Sequence, residues 1–452
     1  YGKTTLGTVD LKELIIGAAG IAGHGNDAAT IAAQSVVFDN PNPSSAKFTN
    51  SGLGSGTLNV NSESITFATN VDVNSSGFSD MRNKEKTGFA MRGFSQVNLT
   101  STGDLRFAGK GVTVIDNAVD NGLAGIGNMV YGGNGTTAAL SINAGRVVTV
   151  GTADHLLTAS GATTVSRNVN ASSAISDAGL GGNFELRAKS LDVSGTISAA
   201  AGKLTLAGSD YVKVLRDASV AAKGVKVAFD DTYAYAPGGS ITLKSDTGNV
   251  STDSGAVVSV SADAKGGDAG TISLVAQNGS VSAAAGTLLG SAASDAQQGA
   301  LKVDAQVTGL DELVDAVTDA NGKHHLSGSW DIRARAGNLN LTKSITAENV
   351  TIAADNGGIT VGTTGVIDAS GAKGGKIGLY GRNGDVVLDG QLQASARVVV
   401  TNTSNAGTRG QGGQIELSAS GTGKVVTSSD SVINVGVADG SVATGGKVNF
   451  RV

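Results

Sequence analysis

The chain has no cysteine, three prolines, three methionines and one tryptophan in 452 residues, and aromatic residues make up only 4% of it. The missing cysteines exclude disulfides and thiolate metal sites, and suit a long exported chain that must stay uncrosslinked in an oxidising space. Charged residues amount to 16%, against about a quarter in ordinary soluble domains. So few large side chains exclude a thick globular core. Long apolar runs are missing as well. The best stretch, residues 14–23 (LIIGAAGIAG), is short and broken by glycine, so no membrane span is expected. The first residues (YGKTTLGTVDLKEL) lack a basic region followed by an apolar one, so no signal peptide is visible. Lysine and arginine are scattered singly, with no basic stripe, and the net charge is −5. That pattern argues against nucleic acid as a partner.

What is present is repetition. Residues 374–390 (GGKIGLYGRNGDVVLDG) and 269–286 (AGTISLVAQNGSVSAAAG) follow one plan: glycine, an x-Ile-x-Leu strand, Asn-Gly, then a second short strand. Gly-Gly-x-Ile-x-Leu or a close variant recurs at 238–243, 270–274, 412–417 and 445–450, with looser relatives at 104–107, 203–206 and 224–227. Each unit alternates apolar and polar residues over about five positions, the period of a strand with one buried face. Val250, Val258, Val260, Ile272, Leu274 and Val281 are the inward candidates of residues 248–286. Glycine, of which there are 67, together with Asn-Gly and Asp-Gly, supplies positive φ at the turns between strands.

Strands this short, with a turn after each, do not suit a sandwich. They suit a coil that winds about one axis, each strand stacking in parallel on the next: an all-β parallel β-helix, or solenoid. At roughly 20 residues per coil, about 22 coils would form a rod on the order of 100 Å long. Small aliphatic side chains fill its narrow interior, Thr and Ser take its outward positions, and proline is scarce because stacking uses backbone N–H groups. The expected organisation is a single continuous segment over 1–452. One excursion, 308–329, carries a short amphipathic helix with Leu310, Leu313, Val314 and Val317 on one face. Asp311, Glu312 and Asp315 favour its N-terminal end, Asn321-Gly322 is its expected stop, and Trp330 is expected to pack it onto the rod. Residues 81–93, with Lys84, Glu85 and Lys86, read as a charged exposed loop. Residues 39–48 and 124–135 are weaker irregularities.

The repeated Gly-Gly-x-Ile-x-Leu and Asn-Gly-x-Val coils resemble the bodies of filamentous-haemagglutinin-type exoproteins of bacterial two-partner secretion. So do two longer stretches. One is Gly93-Phe94-Ser95-Gln96-Val97-Asn98-Leu99 followed by Gly103-Asp104-Leu105; the other is the segment from Trp330-Asp331-Ile332-Arg333 to Asn338-Leu339 after the helix. The resemblance implies a right-handed parallel β-helix, export through an outer-membrane transporter partner, and display at the cell surface or in the extracellular matrix. Asn40-Pro41-Asn42-Pro43 only imitates the Asn-Pro-Asn motif of that family's secretion domain. With the chain ending mid-strand at GGKVNFRV, this reads as a segment downstream of that domain.

Chemistry is sparse. His24, His155, His324 and His325 form no recognised motif; the last two read as an exposed loop without a metal. Glycines that open strands rather than helices are not phosphate-cradling loops, so no cofactor is expected. Asp230, Asp231, Tyr233 and Tyr235 are the candidate glycan contacts: carboxylates accept hydrogen bonds from sugar hydroxyls and tyrosine rings stack on sugar faces. The expected function is a non-enzymatic adhesive rod that binds exopolysaccharide or host glycans through many weak contacts. A toxin-delivery stalk and a polysaccharide-cleaving β-helix, which needs two facing carboxylates, are the competing readings.

Overall fold

The computed structural model describes residues 11–41, 54–68, 88–116, 137–171, 179–399 and 410–452. Residues 81–87, with Lys84, Glu85 and Lys86, residues 42–48 and residues 124–135 lie outside these; Phe89–Arg92, expected in the same exposed charged loop, is instead a strand with Phe89, Ala90 and Met91 buried, because its side chains are mostly apolar. The described chain is all-β apart from one short helix, α1 (Leu310–Val317). It divides into two compact units, residues 1–222 with 241–244, and residues 223–240 with 245–452.

In the first unit the strands pair in parallel with partners 20 to 70 positions away in sequence, and identical side-chain classes fall into register. One column runs Val60, Leu99, Ile142, Val165, Val193 and Val214. Another runs Val36, Ile65, Leu105, Val147, Ile197 and Val220. All twelve are buried. Alternation sets this directly: in Gly56–Phe67 every second residue from Leu58 to Val60, and again from Ile65 to Phe67, points inward. Burying each such side chain contributes about 1.5–3 kcal/mol, and a one-residue slip would turn a whole strand inside out.

The interior of this unit departs from the expected all-aliphatic filling. Phe38, Phe67, Phe107 and Phe184 form a continuous stack, with centroids 5.0, 5.2 and 4.4 Å apart, and Phe89 joins Phe38 at 5.0 Å. Half of the chain's ten phenylalanines therefore sit in one ladder. Aromatic pairs in this range add about 0.5–1.5 kcal/mol each beyond area burial.

The second unit carries three parallel stacks. The widest joins Thr271–Ala283, Ala300–Thr308, Ser329–Ala334, Asn349–Ala354, Lys376–Gly381, Gln414–Ala419 and Lys447–Arg451. It aligns Ile272, Leu301, Trp330, Val350, Ile377, Ile415 and Val448 in one column, and Leu274, Val303, Ile332, Ile352, Leu379, Leu417 and Phe450 in the next. A second stack aligns Leu339, Ile359, Val386 and Val425, and a third Ile345, Ile367, Leu392 and Ile433. The six inward candidates of residues 248–286 are all buried.

The repeated Gly-Gly has a packing cause. A Cβ on Gly413 would lie 2.2 Å from the Gly375 oxygen, and one on Gly446 would lie 2.1 Å from the Gly413 oxygen. Successive glycines thus stack directly on one another, and no side chain fits between them. Two Asn-Gly pairs supply positive φ as expected, at Gly322 in one and at Asn383 in the other. At 383–384 the positive φ (93°) belongs to Asn383, whereas Gly384 is needed because a Cβ there would sit 2.4 Å from the Gly357 backbone.

Helix α1 buries Leu310, Leu313, Val314 and Val317, as the spacing predicts. It ends at Val317 with Thr318 as its cap, earlier than Asn321-Gly322. Its first-turn carboxylate is more than a dipole partner. Asp311 accepts hydrogen bonds from the backbone N–H groups of Thr342 and Lys343 (2.8 and 3.1 Å), and Asp315 pairs with Lys343 Nζ. Trp330 is buried in the interior. It occupies the core column between Leu301 and Val350, and its indole N–H donates to the Leu326 carbonyl at 3.0 Å.

Candidate functional site

One element interrupts the parallel stacking. Lys226–Phe229 and Thr232–Tyr235 pair antiparallel as a hairpin, with Lys226 opposite Tyr235 and Phe229 opposite Thr232. Residues 226–227, expected as a loose copy of the repeat strand, belong to this hairpin instead. The turn is Asp230-Asp231; Asp230 adopts a left-handed φ of 45°, and the Thr232 hydroxyl donates to the Phe229 carbonyl at 3.1 Å. Asp tolerates this conformation better than most residues, which fits an Asp-Asp turn.

Strand alternation sorts the side chains. Opposed residues share a face, so Lys226, Ala228, Tyr233 and Tyr235 lie on one side and Val227, Phe229, Thr232 and Ala234 on the other. Tyr233 is 59% exposed and Phe229 58%. The Lys226 ammonium sits 3.4 Å from the centroid of the Tyr233 ring, a cation–π contact. Tyr235 is half-buried, its ring lying so close to Gly266 that a Cβ there would approach within 2.8 Å. All four expected contact residues are therefore on one hairpin, with Asp230 and Asp231 exposed at its tip. Tyr233 is displayed, whereas Tyr235 serves as an anchor at the base. Sequence reasoning missed Lys226 and Phe229. Their signal was the alternation Lys-Val-Ala-Phe immediately before Asp-Asp, which the resemblance to the repeat obscured.

The histidines are better housed than expected. His24 is exposed. His155 is buried beside Phe107, its ring 4.8 Å from that phenyl, and its Nε2 is 3.0 Å from the Thr113 hydroxyl. Burial pushes its pKa down to about 3, so the ring is neutral at physiological pH. His324 meets the Thr318 hydroxyl at 3.2 Å. His325 is half-buried rather than part of an exposed loop, and lies between Ser291 and Asp319. Among the described residues no cluster of three His, Cys, Asp or Glu side chains is arranged to hold a metal ion, and no helix is long and apolar enough to cross a membrane.

No protein-family model matches the chain, and neither a curated protein nor a solved structure matches it.

Proposed function

We propose that the chain is a structural and adhesive segment of a secreted bacterial surface exoprotein, wound within each unit as a right-handed parallel β-helix. The observation that carries this reading is the in-register stacking of apolar side chains in parallel strands, seven deep in the longest columns of the second unit. Such a ladder is stiff because each strand is hydrogen-bonded to the one before and the one after, and its outward Thr, Ser and Asn positions present a long polar surface. The sequence resemblance to filamentous-haemagglutinin-type exoproteins supports export through an outer-membrane transporter and display at the cell surface or in the matrix.

Within this reading the Lys226–Phe229 and Thr232–Tyr235 hairpin is the contact element. It offers two exposed carboxylates as hydrogen-bond acceptors beside an exposed tyrosine ring, a combination suited to neutral polyhydroxylated glycans. Each contact is weak alone and gains apparent affinity when several chains share one surface. A glycan array probed with the full chain and with a Tyr233→Ala, Asp230→Ala double variant tests it. The wild type is expected to retain neutral glycans at least about tenfold more strongly, a loss of ~1.4 kcal/mol. Equal, negligible retention of both would remove the hairpin as a contact site.

A further inference from the structure

The side chains of Ser291, His325 and Asp319 form a chain of hydrogen bonds in the second unit. Ser291 Oγ lies 2.7 Å from His325 Nδ1, and His325 Nε2 lies 3.3 Å from Asp319 Oδ2. The order of protons follows from the surroundings. Asp319 is held in place by the backbone N–H groups of Lys323 (3.0 Å) and Asn321 (2.9 Å), both donating to its Oδ1. These bonds hold its pKa below the usual carboxylate range. An ionised Asp319 requires the proton of the neutral imidazole on Nε2, leaving Nδ1 as an acceptor for the Ser291 hydroxyl proton. Burial lowers the pKa of His325. Asp319 favours its cation, while Lys323 and His324 oppose it.

Two further features fix this arrangement. The Leu326 N–H donates to the Gly290 carbonyl, and the His325 N–H donates to the Val317 carbonyl at 2.8 Å. The residue before the serine is thereby tied to the residue after the histidine. Leu326, fully buried, adopts a left-handed φ of 56°. A bulky residue in that conformation is strained, and strain of this kind gathers where a neighbouring group must be held in place. A hydroxyl hydrogen-bonded to a neutral imidazole that is itself oriented by a carboxylate is the arrangement that activates a nucleophile.

We propose that Ser291 is a histidine-activated nucleophile that accepts an acyl group from an activated carboxylic ester. Ser291 Oγ forms a bond to the ester carbonyl carbon while its proton passes to His325 Nδ1. Collapse of the tetrahedral adduct breaks the carbon–oxygen bond to the leaving alcohol, which takes the proton from His325. The product is O-acyl-Ser291 and free alcohol. Asp319 is a positioning residue that holds the imidazole in the required tautomer.

The test uses p-nitrophenyl acetate on the full chain, with p-nitrophenol release followed by absorbance and adducts located by peptide mass mapping. The expected result is one acetyl group on the peptide containing Ser291. Its rate of formation rises with pH through an inflection below that of ordinary imidazole. His325→Gln should slow the labelling about 100-fold, the scale of a lost general base, and Ser291→Ala should abolish it. Labelling confined to lysines in the wild-type protein would overturn the proposal without reference to any variant's folding. So would a folded His325→Gln variant, checked by circular dichroism, that labels at the wild-type rate, since His325 would then be only a structural tie.

Discussion

His155 shows how much one residue can cost in a narrow interior. Its folded-state pKa of about 3 lies far below the ordinary histidine value near 6.5. The unfolded chain therefore binds a proton between those values and the native state does not. The sign follows: stability is fully present above about pH 6.5 and falls as the pH drops towards 3, by a total on the order of 5 kcal/mol from this residue. Denaturant midpoints measured at pH 7, 5 and 4 should fall in that order for the wild type. They should fall less steeply for His155→Phe, which continues the stack of Phe107 and Phe184. Parallel slopes for both proteins would show that His155 does not govern the acid limb. Gly413 makes the opposite demand, for no side chain at all. Gly413→Ala brings a methyl group into the Gly375 oxygen and is expected to cost about 1–3 kcal/mol, read as a lower thermal midpoint; an unchanged midpoint would mean that the strands relax apart.

At the scale of elements, α1 is held from two directions. Its apolar face is buried, and Asp311 binds the backbone of Thr342 and Lys343. Leu313→Ala should destabilise the second unit by about 2–5 kcal/mol. Asp311→Ala should cost about 0.5–1.5 kcal/mol, because it removes two hydrogen bonds whose exposed donors water can take up. Hydrogen exchange of the α1 amides distinguishes a helix that detaches from one that merely loosens. The helix was readable from its spacing because Leu310, Leu313, Val314 and Val317 keep the i, i+3, i+4, i+7 positions of one helical face. The strand interiors were readable because alternation fixes which side faces in: Val250, Val258, Val260, Ile272, Leu274 and Val281 are all buried. The phenylalanine ladder was not readable. Phe38, Phe67, Phe107 and Phe184 are 29 to 77 positions apart in sequence, and only the register of four strands brings them together. The hairpin was half legible. Asp230, Asp231, Tyr233 and Tyr235 stand out locally, but their antiparallel pairing depends on Lys226–Phe229 leaving the stack. Ser291, Asp319 and His325 lay out of reach, because a serine in a low-complexity stretch carries no mark until the chain returns 34 residues later to set a histidine beside it.

At the scale of the whole molecule, charge is dispersed, and among the described residues several ion pairs join segments distant in sequence. Arg146 binds Asp104, Arg335 binds Asp304, Arg333 binds Asp355 and Arg397 binds Asp368. Surface pairs of this kind contribute little stability, but they quench local fields that would attract polyanions. With a net charge of −5, the protein is expected to pass through a heparin column at 0.15 M salt and to leave duplex DNA unshifted in a gel; salt-sensitive retention would contradict that picture.

The chain's single tryptophan sits inside a column, sandwiched between Leu301 and Val350, and this gives the molecule a built-in optical gauge. All indole emission reports from that one seat. It should be blue-shifted and shielded from acrylamide in the native protein, and should redden only when the second unit opens at that level. Tyrosine and phenylalanine signals would meanwhile follow events elsewhere.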